Sequence, residues 1–111
     1  MTTWWSNQAY RPSFHIVVGV DVRHSYAGRA VACTGVRVNS VAPGWVKTAM
    51  SQSFWEDPLI AAGAIQSIPA RRFADPADIA NVVLFLVSGL AGCINGHCLV
   101  ADGGRIAGVP A

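Results

Sequence analysis

Three short β-branched runs, each separated from the next by a helical stretch, constrain this chain more than any other feature of its sequence. The run HIVVGVDV starts at His15 and ends as a strand at Asp21, VRVNSVA lies between Gly35 and Pro43-Gly44, and HCLVAD precedes Gly103-Gly104. Each has the length of a strand, and the near-continuous apolar character of the first suits a strand covered on both faces. Between the first and second runs, SYAGRAVAC predicts a short helix closed by Thr34-Gly35, since glycine accepts the left-handed position after a helix end. Strands alternating with helices imply a parallel sheet, so the fold class is α/β, with a small, mainly parallel three-stranded sheet and two to three helices.

The helices carry their own start signals. Asp57-Pro58 places an N-cap before a proline at the first helical position, opening LIAAGAIQS, whereas WVKTAMSQSFW before it reads as loop. Asp75-Pro76 repeats the signal, with Asp78 in the first turn, where its charge complements the helix dipole. Ile79, Val82, Val83, Leu86, Val87 and Leu90 then recur at helical spacing. Phe85 falls on the opposite side, among Asp78, Asn81 and Ser88, and marks a candidate contact face. Asn95-Gly96 is a turn before the third strand.

Composition sets the limits on function. Only 13% of the 111 residues are charged while 52% are hydrophobic, too apolar for a disordered chain and poor in charge for a self-contained small domain. Net charge is +2, with basic residues scattered apart from the pair Arg71 and Arg72, so no basic stripe suggests nucleic acid. The apolar run Val82–Val87 is far short of the roughly 20 residues of a bilayer span. Residues 1–14 form an irregular N-terminal arm without the basic and apolar regions of a secretory signal, which leads to an expected cytoplasmic location for the domain at 15–111. Cys33, Cys93 and Cys98 show no metal spacing with His15, His24 or His97 and are expected as reduced thiols.

At this point the residues carry a resemblance. GVRVNSVAPGWVKTAM, IPARRFADPADIANVVLFLVSG and INGHCLVADGG, in that order over Gly35–Gly104, resemble the C-terminal third of the short-chain dehydrogenase/reductases. The resemblance implies that Val36–Ala42 is similar to the family's sixth strand, Asp75–Gly89 to its last helix and His97–Ala101 to its seventh strand. HIVVGVDVRHSYAGRAVA looks like the second strand and its helix, joined here to the C-terminal portion by deletion or truncation of what lies between. The fold it implies is a partial Rossmann-like one. A complete fold places the second strand far from the sixth, so here the first strand is expected to pair directly with the second through the Ser25–Thr34 crossover.

The resemblance also implies cofactor contacts. Asp21 matches the strand-ending acid that binds the adenosine ribose, favouring NAD over NADP because a carboxylate repels a 2′-phosphate. Pro43 and Gly44 match the loop beside the nicotinamide, the backbone of Val46 faces its carboxamide, and the Thr48 hydroxyl bonds the carboxamide or a phosphate. Alternatively, Asp21 and Pro43-Gly44 simply end strands and Thr48 caps the next turn.

Two family elements are missing from these 111 residues: the glycine-rich pyrophosphate turn and the catalytic Tyr-x-x-x-Lys. Tyr26 is followed at the fourth position by Ala30, with Arg29 one place early, and Tyr10 by Phe14. A tyrosine phenol titrates near 10 and needs a neighbouring ammonium to act near neutrality. No catalytic residue and no metal ligand is therefore assigned, and the chain is expected to be inactive alone. The resemblance implies an NAD(P)-dependent oxidoreductase by descent. The alternative is a non-catalytic interaction module, pairing with itself or a full-length relative through the last helix and last strand. Arg71 and Arg72 are expected as a solvated pair or bonded to Asp75 or Asp78 rather than as an anion site.

Overall fold

The computed structural model describes residues 13–16 and 28–107. Asp21 and the first residues of the helix expected over Ser25–Cys33 lie outside them. Among the described residues there are three strands, β1 (Ser13–Ile16), β2 (Val36–Pro43) and β3 (Cys98–Ala101), with helices α1 (Gln52–Trp55), α2 (Pro58–Gln66) and α3 (Pro76–Val87). All pairings are parallel and the order is β1-β2-β3, which is the expected class and the expected direct pairing of the first two strands. β1 begins at Ser13, two residues before the predicted start. The segment before β2 is helical at 28–31 and tightens into a 3-10 turn at Ala32–Thr34, closed by Gly35 at φ 79°.

The sheet is staggered. β1 pairs with residues 36–39 of β2, and β3 pairs with residues 40–43. The side of residues 36–39 away from β1 is completed by a loop instead of a strand. The Val38 N–H donates to Asn95 Oδ1 at 2.8 Å, the Gly96 N–H donates to the Val38 carbonyl at 2.7 Å, and the Ser40 N–H donates to the His97 carbonyl at 2.9 Å. Asn39 pins the same loop, donating from Nδ2 to the Ile94 carbonyl and accepting the His97 N–H at Oδ1. The Asn95-Gly96 turn is thus also a stand-in for missing strand, satisfying backbone groups that burial would otherwise leave unpaired. Asn95 Nδ2 reaches on to the Gly28 carbonyl at 2.9 Å. A Cβ on Gly28 would lie 2.6 Å from Asn95 Oδ1, so this contact admits no side chain.

α3 covers one face of the sheet. Val41, Leu86 and Ala91 form the buried centre, with Ile79, Val82, Val83, Ile94, Leu99 and Ala101 packed around it, as the helical spacing of its apolar residues predicts. Asp75 and Pro76 open the helix in the predicted positions, and the Asp78 carboxylate reaches back to accept the Asp75 N–H at 2.9 Å. The last turn holds no basic residue. Its end is instead met by Arg37 of β2, which is 3% exposed and donates to the carbonyls of Leu86 at 2.7 Å and of the cap residue Ser88 at 3.3 Å, and also to that of Ile94 in the loop beyond at 3.1 Å. Phe85 is exposed, as its position on the helix predicts. No helix among the described residues is long and apolar enough to cross a membrane.

Candidate functional site

The chain leaves β2 through Pro43-Gly44, and the geometry there depends on glycine. The Gly44 N–H donates to the Ala101 carbonyl at 3.0 Å, extending the pairing with β3, and a Cβ on Gly44 would come within 2.7 Å of Asp102 Cα. The residues that follow, expected as loop, contain more structure than that. Val46 forms an isolated parallel bridge with Ala74, in which the Lys47 N–H donates to the Ala74 carbonyl at 2.9 Å and the Ala74 N–H to the Trp45 carbonyl at 2.8 Å. The residues 52–55 close into the helical turn α1. Trp45 packs against both, with Phe54 and Phe73 edge-on at centroid distances of 5.4 and 6.1 Å, an arrangement aromatic quadrupoles favour.

The bridge uses the peptide groups on either side of Val46 and leaves its own N–H without a hydrogen bond among the described residues. The Val46 carbonyl accepts from Ser51 Oγ at 2.6 Å. Ser51 Oγ in turn accepts the Thr48 N–H at 3.0 Å and lies 3.2 Å from Thr48 Oγ1. With the serine proton on the Val46 carbonyl, Thr48 is the donor in that contact, and its lone pairs stay available as acceptors. Ser51 therefore fixes the loop that presents Val46 and Thr48. Sequence reasoning missed it, although its place three residues after Thr48 is the spacing of a local side-chain-to-backbone turn. The Thr48 carbonyl also accepts from Trp55 Nε1 at 3.2 Å, tying α1 to the same loop.

Pro43, Val46 and Thr48 line one side of a groove of about 610 Å³ whose other side is α3, chiefly Ile79, Val83 and Leu84. The structure thus brings three of the predicted residues together, with Gly44 between them in the chain; Asp21 is not among the described residues. A smaller cavity of about 190 Å³ lies near Trp45, Ala101 and Asp102. At its rim Arg72 forks onto Asp78, with contacts of 2.7 and 3.3 Å, the ion-pair outcome expected for this arginine. Arg72 holds the Asp78 carboxyl below its ordinary pKa, first through the hydrogen bond and then with help from the Asp75 N–H. The backbone N–H groups of Ile106 and Gly104 lower Asp102 in the same way. Among the described residues no group of three or more His, Cys, Asp or Glu side chains is placed to hold a metal ion.

The whole described sheet, including the Pro43–Thr48 loop, falls within a match to a protein family. A family model described as enoyl-(acyl carrier protein) reductase covers residues 4–105. The vibriobactin-specific 2,3-dihydro-2,3-dihydroxybenzoate dehydrogenase of Vibrio cholerae is 46% identical over 85 residues. An oxidoreductase of the short-chain dehydrogenase/reductase family from Burkholderia thailandensis superposes with a TM-score of 0.69 at 35% identity, over 77% of this chain and 33% of that one. The chain belongs to the short-chain dehydrogenase/reductase family. A second member of the fold, 4-hydroxyisoleucine dehydrogenase complexed with NADH, matches with a TM-score of 0.72 at 25% identity over 78% of this chain and 35% of that one. The partial Rossmann-like class expected from the sequence is thus the observed one. The V. cholerae alignment takes in 69% of this chain but 32% of the relative, so the chain spans about a third of the length of the curated short-chain dehydrogenase/reductases it matches.

Proposed function

We propose that this chain supplies the nicotinamide-facing part of an NAD(P)-linked oxidoreductase site and does not turn over alone. The observation that supports it is Ser51, which bonds the Val46 carbonyl and the Thr48 N–H and so fixes a loop carrying both the Thr48 hydroxyl and a Val46 N–H that has no hydrogen bond among the described residues. A carboxamide has one acceptor oxygen and two N–H donors, so a backbone N–H next to a hydroxyl acceptor complements it. Pro43 and Gly44 shape the loop, and Asp21 would meet the adenosine ribose and favour NAD. The 111 residues contain neither the glycine-rich turn that cradles a pyrophosphate nor a Tyr-x-x-x-Lys pair to move the proton. Titration with NADH, following protein emission, is expected to saturate in the millimolar range. An unresponsive signal up to that concentration overturns the cofactor reading, and carbonyl reduction clearly above blank overturns the inactivity.

A second reading is an association module. Phe85 in the last turn of α3 and Leu90 in the 3-10 turn that follows it are 38% and 85% exposed, and Val100 is exposed on β3, a strand at the edge of the described sheet. An exposed apolar helix end and an open strand edge each suit pairing with a second copy or with a full-length relative. Light scattering at tens of micromolar is expected to show a dimer or larger species that Phe85→Glu disperses; a monomer unaffected by that change counts against it.

A further inference from the structure

We propose that Asn95-Gly96 is a self-modification site that the fold holds shut, and that its conversion to aspartate or isoaspartate is a one-way release of segment 28–31 from the sheet. Asparagine before glycine is the dipeptide most prone to intramolecular ring closure, because no side chain screens the glycine nitrogen and glycine takes whatever dihedrals the ring needs. In that reaction the Gly96 nitrogen loses its proton and bonds to Asn95 Cγ, the Cγ–Nδ2 bond breaks, and ammonia leaves. Water then opens the cyclic imide at one of its two carbonyls, giving aspartate or, with the backbone rerouted through Cβ, isoaspartate.

The fold engages each group this step must free. The Gly96 N–H donates to the Val38 carbonyl at 2.7 Å, Asn95 Oδ1 accepts the Val38 N–H at 2.8 Å, and Asn95 Nδ2 donates to the Gly28 carbonyl at 2.9 Å. Nucleophile and electrophile are thus clamped to one buried residue of β2. The attacking nitrogen must shed the proton that its bond to Val38 holds. Gly28, also buried, lies so close that a Cβ there would meet Asn95 Oδ1 at 2.6 Å and the Gly96 nitrogen at 2.7 Å, which leaves the amide little room to swing. Ring closure therefore waits on local opening of the loop from β2. The product does not fit the clamp it leaves. A carboxylate still accepts the Val38 N–H, but it has no proton for the Gly28 carbonyl, so oxygen faces oxygen where the amide donated. Isoaspartate also lengthens the main chain by one methylene between the two partners of Val38, which moves the Gly96 N–H off the Val38 carbonyl.

Incubation of the chain at mildly alkaline pH, with digestion and mass spectrometry of the segment around Asn95, measures conversion against that of a free peptide Ile-Asn-Gly-His. In the folded chain it is expected to run about tenfold or more below the peptide rate, and in guanidinium chloride to rise to the rate of the peptide in the same solution. Conversion of the folded chain at the peptide rate, or none in the denatured chain, overturns the inference. Hydrogen exchange reads the consequence. Asn95→Asp is expected to speed exchange at residues 28–31 and at Val38 by about fivefold or more while α3 keeps its protection. Exchange unchanged at 28–31, or raised equally along α3, overturns the release. Should Asn95→Asp not fold, the same comparison on the natural chain aged to partial conversion decides it by the same two outcomes.

Discussion

The guanidinium of Arg37 in β2 donates to the carbonyl of Leu86, 49 residues later, at 2.7 Å. That bond joins the first half of the central strand to the C-terminus of α3, where helix carbonyls lack intrahelical partners and the dipole favours a cation. It does from the sheet what a lysine or arginine in the last turn does in other helices.

Arg37→Met keeps the aliphatic stem and removes these donors. Loss of charged hydrogen bonds that leaves buried carbonyls unpaired is expected to cost about 2–4 kcal/mol. Urea unfolding monitored by tryptophan emission measures it. A loss below about 0.5 kcal/mol, the scale of an ordinary surface substitution, contradicts the assigned role.

Gly44→Ala tests the turn after β2. Its new methyl would sit 2.7 Å from Asp102 Cα, a backbone atom that cannot rotate away. The chain must shift, and a cost of about 1–3 kcal/mol is expected. If the loop is the cofactor site, NADH affinity falls as well, because Val46 moves with the turn. Gly63→Ala serves as the control, since a Cβ there meets nothing within 4 Å, and in the middle of α2 it is expected to stabilise by about 0.5–1 kcal/mol.

Acid is expected to loosen the fold around the smaller cavity, which Asp78 and Asp102 both line. Asp78 and Asp102 each titrate below the ordinary 3.8 in the fold, through Arg72 and through the Ile106 N–H respectively. A group whose folded pKa is depressed stabilises fully above its unfolded value and loses that contribution as pH falls through the folded one. Both sites are open to solvent, so the effect is modest. Thermal midpoints should be flat from these two groups above pH about 5 and fall below pH about 4. Asp78→Asn should flatten part of that acid limb, and an unchanged limb would remove Asp78 from the account.

Much of this fold was legible because its signals are local. Asp57-Pro58 and Asp75-Pro76 start helices through neighbouring dihedrals and first-turn hydrogen bonds, and the spacing from Ile79 to Leu86 encodes a packed face without reference to what it packs against, whereas Leu90, on the same spacing, falls beyond the helix end and is exposed. Pro43-Gly44 marked the turn for the same reason. The stretch 45–55 was not legible, since its bridge joins Val46 to Ala74 and the Trp45 ring that meets Phe54 of its helical turn also touches Phe73, contacts that reach residues 28 apart in sequence.

By itself, then, the sequence determined strands, capped helices, a parallel class and a family likeness, all properties of short windows or of their order along the chain. Only the tertiary structure decided that Asn95 completes the side of β2 that no described strand covers, that Arg37 closes α3, and that Ser51 ties the Val46 carbonyl to the Thr48 N–H. Each of these is a polar group finding a partner across a turn or across the sheet. Burial makes such partners obligatory, but a linear pattern does not say which partner is within reach.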